Sequence, residues 1–415
     1  MYKKIPGTRD ILPEEAYIWQ EMEVTSRKIF SLYNYREIRT PLVEEECLFN
    51  RSLGESAEIV QKQMFLIKHG RDEYALRPEG TASVVRAYIE NNLAKQGEFS
   101  KFYYLGPMFR LERPQKGRLR QFHHIGAEAI GSVDPGLDVE VLSLADQLLK
   151  SLAISGYKIK INSLGCVKDK ATLALELKKF LGKQVEKLCA DCKERLKKNV
   201  LRVLDCKQEA CKEIVSKLEL GNKHLCPECL EHFRIVRSGL DGLGLDYTLV
   251  PQLVRGLDYY TRTVFEISHP DLGAQDALGA GGRYDNLVKE LGGPEMGAIG
   301  FALGVERLLL VHSVHQSTVN SKKLVYLITL GEQARIHGLK ILAELRINKI
   351  ACDTDYQGRS LKGALRQAND LAARFALIIG ENELNKHVVT LKDMITGEQK
   401  EVEQEKCIEH ILAAS

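Results

Sequence analysis

One stretch constrains this chain more than any other: FYYLGPMFRLERPQKGRLRQFHHIGAEAIG, from Phe102 to Gly131. It reads as two extended runs joined by a basic loop. The first run, Phe102 to Glu112, is aromatic and apolar and ends on Arg110 and Glu112. The loop, Arg113 to Leu119, carries Pro114, Lys116, Gly117 and Arg118. The return run, Arg120 to Gly131, alternates, and residues two apart on a strand share a face. Phe122, His124, Gly126 and Glu128 therefore point the same way. A buried face bearing an imidazole and a carboxylate is costly unless something pairs with them. A solvated hairpin is the plain alternative. Four cations around the loop (Arg113, Lys116, Arg118, Arg120) instead favour a polyanion lying at this hairpin.

Around this hairpin the chain has room for two or three domains, with 415 residues, 44% hydrophobic and 28% charged. Lys plus Arg (59) nearly balances Asp plus Glu (56), a net charge of +3. Any nucleic-acid contact must then come from local patches. No apolar run approaches the ~20 residues of a membrane span, and the start MYKKIPGTRDILPEE has no signal-peptide core. The expectation is a cytoplasmic protein without membrane contact. Its ten cysteines are then free thiols or metal ligands rather than disulfides.

Taken in order, Pro13, Glu14 and Glu15 open a helix expected to reach about Tyr33, with Trp19, Met22, Ile29 and Phe30 on one face. A strand is expected from Glu37 to Val43. Pro41 inside it marks an edge or a bulge, either a subunit contact or a kink. Leu76 ends a short strand, and Arg77 to Thr81 make a turn in which Thr81 can cap the next helix. Glu79 and Thr81 then stand at a strand-to-helix corner, where ligands are often held. By themselves they are no more than a cap. A helix, Asp138 to Ile154, and a strand, Tyr157 to Asn162, follow. From Val167 to about Phe233 the chain is Lys-rich, helical and Cys-bearing, which reads as an insertion.

The earlier style returns at Leu249 with a strand, a turn at Gly256 to Asp258, and a strand from Thr263 to Ser268. The glycines between Ala277 and Asp285 suit close approach of a flat ligand. They form neither a phosphate loop nor a dinucleotide fingerprint. Gly300 to Leu310 is a small-residue strand running into a helix, with Arg307 alone among apolar residues. A polar linker precedes a tail that alternates strand and helix, an α/β layer pattern. Arg359, Lys362 and Arg366 share a helical face there, best read as solvated. The expected domains are 1–166 and 234–312 (one catalytic body), the insertion 167–233, a linker 313–322 and a tail domain 323–415.

Two C-x2-C pairs lie in the insertion, Cys189 with Cys192 and Cys226 with Cys229, and Cys206 and Cys211 fall between them. Tetrahedral thiolate sites favour zinc. The two pairs together are the candidate structural zinc site, against ordinary thiols in a helical module.

Three separated signals share one resemblance. Gly106 to Arg110, with its loop and Phe122, resembles motif 2 of class II aminoacyl-tRNA synthetases. Gly300 to Leu310 with Arg307 resembles motif 3, and the first helix with the Pro41 strand resembles motif 1. Arg255 to Tyr260 and Ala280 to Asp285 look like the two signature peptides of the histidyl-tRNA synthetase family, and Arg77 to Thr81 matches it too. The similarity covers almost the whole chain. It implies an α/β fold (an antiparallel six-stranded sheet flanked by helices), a homodimer, and a C-terminal anticodon-binding domain. It also implies the chemistry: L-histidine and ATP, with Mg2+, give histidyl-adenylate, and histidine then passes to the 3′ end of histidine tRNA.

By resemblance, Arg110 and Arg255 flank the α-phosphate and act catalytically, Arg255 where other class II enzymes place a metal ion. Arginine suits this, being planar, charged and bidentate. Phe122 and Arg307 sandwich the adenine, Glu112 is a candidate for its edge, and Arg118 and Arg120 are candidates for the outer phosphates. Glu128 and Tyr260 serve the two imidazole nitrogens, Tyr284 flanks the ring and Tyr259 adjoins it. Glu79 and Thr81 meet the α-ammonium. Arg113, Gln115 and Lys116 are candidates for the tRNA acceptor end. One position departs from the family pattern: His124 stands where Gln is usual. Since His titrates near neutrality, histidine binding is expected to weaken as His124 protonates. The competing reading is a regulatory paralogue that binds histidine in its biosynthesis without charging tRNA. Such relatives lack the tail and the arginine at 255, and both are present here.

Overall fold

The computed structural model describes residues 2–54, 57–95, 99–218, 220–312 and 324–413. The expected linker, 313–322, lies outside them. The chain divides into two compact units, Met1–Ser313 and Val314–Ser415.

The larger unit is built on an eight-stranded sheet. In chain order its strands are β1 (Arg36–Glu37), β2 (Ser100–Phe109), β3 (Gln121–Ile130), β4 (Lys158–Ser163), β5 (Thr248–Leu249), β6 (Thr261–Ser268), β7 (Ala277–Arg283) and β8 (Ala298–Gly304). Their spatial order is β1-β2-β3-β8-β7-β6-β4-β5. The six central strands pair antiparallel throughout, and the short edge strands β1 and β5 add in parallel.

β2 and β3 are the two arms of the expected hairpin, in register from Ser100–Ile130 to Phe109–Gln121. The alternation of β3 sorts its residues. Ile125, Ala127 and Ala129 bury into a core formed with the helices Pro13–Leu32, Pro135–Ser151 and Pro227–Gly242. Phe122, His124, Gly126 and Glu128 take the opposite face. Each fully buried large aliphatic side chain in that core contributes about 1.5–3 kcal/mol, which pins the register. A one-residue slip would exchange the faces.

Two boundaries differ from expectation. The run from Glu37 to Val43 is not one strand. It leaves β1 at Glu37 and resumes as Val43–Glu45 in a separate three-stranded sheet with Phe65–His69 and Asp72–Leu76. Pro41, which has no N–H to give a ladder, lies in the break. The other difference concerns the end of the insertion. Helix Pro227–Gly242 is continuous across Phe233, and its Phe233, Val236 and Leu240 join the main core. His232 Nε2 lies 3.2 Å from Asp138 Oδ1 in helix Pro135–Ser151. The helical module therefore ends near Cys226.

The smaller unit holds a five-stranded sheet. Its strands are β9 (Val325–Thr329), β10 (Cys352–Thr354), β11 (Phe375–Ile379), β12 (Val388–Asp393) and β13 (Gln399–Glu403), in the order β10-β9-β11-β12-β13. Helices Glu332–Ile347 and Leu361–Asp370 pack on it. Lys362 and Arg366 are exposed on helix Leu361–Asp370, whereas Arg359 precedes that helix and is paired to Asp355 at 2.6 Å, so the solvated basic face holds two of the three expected residues. No described helix is long and apolar enough to cross a membrane.

Candidate active site

A cleft opens on the face of the sheet opposite the helices, floored by β3, β8 and β7. Gly126, Ala302, Gly300 and Ala280 keep that floor low. At Gly126 a Cβ would lie 2.3 Å from the ring of Tyr104. Only glycine lets Tyr104 lie across β3.

Glu128 is 1% exposed and is reached through hydroxyls. Thr81 Oγ1 donates to its Oε1 at 2.7 Å, Tyr104 OH to Oε1 at 3.4 Å, and Tyr284 OH to Oε2 at 2.5 Å. Those three residues line the cleft. Burial, first of all, pushes the Glu128 carboxyl up to about 8, against the hydroxyl hydrogen bonds and helped by the nearby Glu79. Glu79 accepts N–H bonds from Thr81 (2.7 Å) and Ala82 (2.8 Å), capping helix Thr81–Glu90 while lining the cleft. The cap is Glu79 rather than the expected Thr81, which begins the helix and gives its hydroxyl to Glu128 instead. Tyr259 sits between Tyr260 and Tyr284, with ring centroids 4.7 and 5.8 Å away.

The other end of the cleft is cationic. Arg110 Nε donates to Pro78 O at 2.9 Å and its guanidinium lies 5.2 Å from the Phe122 ring centre. Arg255 Nη1 donates to Glu266 Oε2 at 2.5 Å. Arg307 Nε donates to Gly117 O at 2.9 Å, and its Nη1 to Ala277 O. Arg118 Nε is 3.2 Å from Glu112 Oε2. Burial, then repulsion by Arg118, Arg110 and Arg255, draws the Arg307 guanidinium below its ordinary value, against the attraction of Glu112. Cations that disfavour one another's charge make a site for a polyanion.

The structure thus brings Glu79, Thr81, Arg110, Glu112, Arg118, Phe122, His124, Arg255, Tyr259, Tyr260, Tyr284 and Arg307 to one cleft. Neither Glu128, which lies behind the hydroxyls of Thr81, Tyr104 and Tyr284, nor Arg120 is among the lining residues. The Arg120 N–H bonds to Gly7 O and its side chain reaches back to Glu112 O. Arg113 and Gln115 line a neighbouring hollow with Lys62 and Gln63, and Lys116 is exposed at the loop tip. His124 is corrected in its chemistry. Its ring lies 5.1 Å from Phe122, and its Nδ1 is buried with no hydrogen-bond partner among the described residues. Burial, then Arg110, Arg307, Arg77 and His123, holds it well below the usual histidine range. Its protonation near neutrality is thereby disfavoured, against expectation.

The zinc quartet is also corrected. The two C-x2-C pairs belong to different clusters. One holds Cys189, Cys192, Cys206 and Cys211; the other holds Cys166, Asp169, Cys226 and Cys229. Sequence reasoning missed Tyr104 and Glu266. Alternation read along the first run, as along the return run, places Tyr104 on the cleft face. Nothing in the sequence joins Glu266 to Arg255.

A family model described as histidyl-tRNA synthetase matches residues 7–308, and one described as an anticodon binding domain matches 324–414. A histidine–tRNA ligase of Halothermothrix orenii is 46% identical over 98% of this chain and 97% of its own length. One of Thermosipho melanesiensis is 47% identical over the same shares. The crystal structure of apo S. aureus histidyl-tRNA synthetase matches with a TM-score of 0.83 at 35% identity, covering 99% of this chain and all of that one.

Proposed function

The chain belongs to the histidyl-tRNA synthetase family, ATP-dependent ligases that join histidine to its tRNA, and we propose that Arg110 and Arg255 carry its activation step while Glu128 reads the imidazole. The observation that carries this is the pairing of the two ends of one cleft. The cleft is lined in one part by Thr81, Tyr104 and Tyr284, whose hydroxyls hold the buried Glu128 behind them, and in another by Arg110, Arg118, Arg255 and Arg307.

An imidazole offers one donor and one acceptor when neutral. Glu128 meets either need, donating as the acid and accepting as the carboxylate. Tyr260 serves the other nitrogen, and Tyr259 and Tyr284 wall the ring. Glu79 draws in the α-ammonium, with Thr81 beside it. His124, held neutral, offers its unpartnered Nδ1 to the amino or carboxylate end. A histidine carboxylate oxygen then bonds to the α-phosphorus of ATP between Arg110 and Arg255 while the bond to the α–β bridging oxygen breaks, giving histidyl-adenylate and pyrophosphate. Charge grows on the phosphate oxygens, where fixed cations stabilise the transition state most. Phe122 and Arg307 hold the adenine, Glu112 its edge, and Arg118 the outer phosphates. Arg120, absent from the cleft lining, is a second choice for them. Arg113, Gln115 and Lys116 meet the tRNA acceptor end, and the tail unit reads the anticodon. The insertion's thiols hold zinc as a structural ion. A homodimer in the cytoplasm completes the reading, supported by exposed Leu42, Val43, Leu66 and Ile67 on the small sheet.

Histidine-dependent exchange of pyrophosphate into ATP tests the assignment. Wild type is expected to exchange. Glu128→Gln is expected to lose about 10- to 100-fold in kcat/KM for histidine, with its KM for ATP little changed. Equal loss toward both substrates would end the division of roles. A chain that did not exchange would be the regulatory paralogue, a reading the Arg255 guanidinium in the cleft weighs against.

A further inference from the structure

We propose that the insertion carries two zinc-class metal sites, a tetrathiolate of Cys189, Cys192, Cys206 and Cys211 and a root site of Cys166, Cys226, Cys229 and Asp169. Within each group the four ligand atoms lie within 4.8 Å of one another. Thiolates about 2.3 Å from one tetrahedral ion stand roughly 3.8 Å apart. Cys189 and Cys206 sulfurs are 3.8 Å apart. That is well beyond the ~2.05 Å of a disulfide, and all the cysteines are free. Thiols gathered this closely have room for one ion rather than a multi-iron cluster.

The surroundings suit anionic sites. Cys189 N–H donates to Cys211 Sγ at 3.3 Å. At the root, Cys166 and Cys226 each cap a 16-residue helix at its positive end, where a thiolate is favoured. Asp169 accepts the N–H of Cys166 (3.2 Å) and of Cys226 (3.0 Å). It knits the first and last turns of the insertion before any ion adds to them. The plain alternative is that these thiols are small apolar fillers, as buried cysteines often are. Fillers have no reason to converge in fours with a carboxylate among them.

The two sites bracket the groups that hold the 255–260 loop. Lys170, next to Asp169, donates to Asp258 O and Tyr260 O, each at 2.9 Å. Asn199, between Cys192 and Cys206, donates to Asp258 Oδ1 at 2.9 Å, and Arg202 lies 3.7 Å from the same oxygen. Metal in the insertion would therefore keep Arg255, Tyr259 and Tyr260 in place without touching substrate.

Elemental analysis of the purified full chain, kept reduced, is expected to give two zinc ions per chain. Mercurial titration of the thiols should release both. Cys211→Ser and Cys229→Ser should each keep one ion, and the double variant none. Cobalt substitution of Cys229→Ser should show the strong sulfur-to-cobalt absorption of a four-thiolate site. No metal in the native chain, or a single ion in the native chain that both single variants lose, would overturn the proposal. So would two protein disulfides in place of the thiols. Metal-stripped protein should raise its KM for histidine by about tenfold, the lower range for losing a supporting shell, with KM for ATP less affected. An unchanged KM for histidine would overturn the link to the 255–260 loop.

Discussion

Gly300 on β8 stands directly across from Glu128 on β3, so close that a methyl group on Gly300 would come within 1.8 Å of Glu128 Oε2. The carboxyl proposed to read the substrate ring occupies space a side chain would take. Gly300→Ala must push Glu128 off the hydroxyls of Thr81 and Tyr284 or spread the two strands, since Ala127 O would also be only 2.5 Å from the new carbon. Overpacking of this kind costs about 1–3 kcal/mol. The expected result is a lower melting temperature and at least a roughly tenfold loss in kcat/KM for histidine, since about 1.4 kcal/mol is one decade. An alanine variant with normal histidine kinetics would show that Glu128 is not the reader.

Glu128 itself predicts a pH signature. Its folded carboxyl is raised to about 8 from an ordinary 4.5. Between those values the unfolded chain has released a proton that the folded chain still holds. The stability tied to this group is therefore complete below pH ~4.5 and lost as pH rises through about 8. Glu128→Gln removes the loss. Measured by denaturant unfolding, the variant should gain on wild type by a few kcal/mol as pH rises from 6 to about 8, at about 1.4 kcal/mol per unit, and no further above that. It should meanwhile lose about 10- to 100-fold in histidine kcat/KM, as expected for an unsatisfied buried partner.

His124 has the opposite sign. A base depressed well below 6.5 stays neutral in the folded chain while the unfolded chain takes up a proton. Its contribution is present above the ordinary histidine value and lost as pH falls below it. Across pH 6 to 8 the KM for histidine should carry no inflection from this residue, and His124→Gln should trace the same profile. A wild-type inflection that vanishes in the Gln variant would contradict the burial argument.

Much of this was legible in the sequence, and the exceptions share a cause. Alternation along β3 assigned Phe122, His124, Gly126 and Glu128 to one face because period two is dictated by the pleat. It gave no depth, so it could not tell that His124 would be buried among arginines and lose its titration. The strand break at Pro41 and the reach of helix Pro227–Gly242 past Phe233 depend on which neighbours offer a partner. The cysteines show this most clearly. Spacing matched one C-x2-C to the other, whereas the fold joins Cys226 and Cys229 to Cys166, at the far end of the insertion. Glu266 was invisible for the same reason, as a strand acid with nothing nearby to name its partner.

That acid supplies the last prediction. Arg255 hangs in the loop before β6, and its guanidinium is fixed by Glu266 Oε2 at 2.5 Å, while Lys160 holds Glu266 Oε1 at 3.3 Å. Arg255→Lys keeps a charge but loses the planar fork. Its single-turnover rate of adenylate formation should fall by about 10²-fold or more, the scale for one preorganised donor, with little change in KM for histidine. Glu266→Gln leaves Arg255 in place but loosens its aim. It should lower the same rate by about tenfold, a fraction of that term, and leave both KM values near wild type. A purely structural Glu266 would instead shift the melting temperature and spare the rate. If the rate is spared, Arg255 is aimed by something other than Glu266.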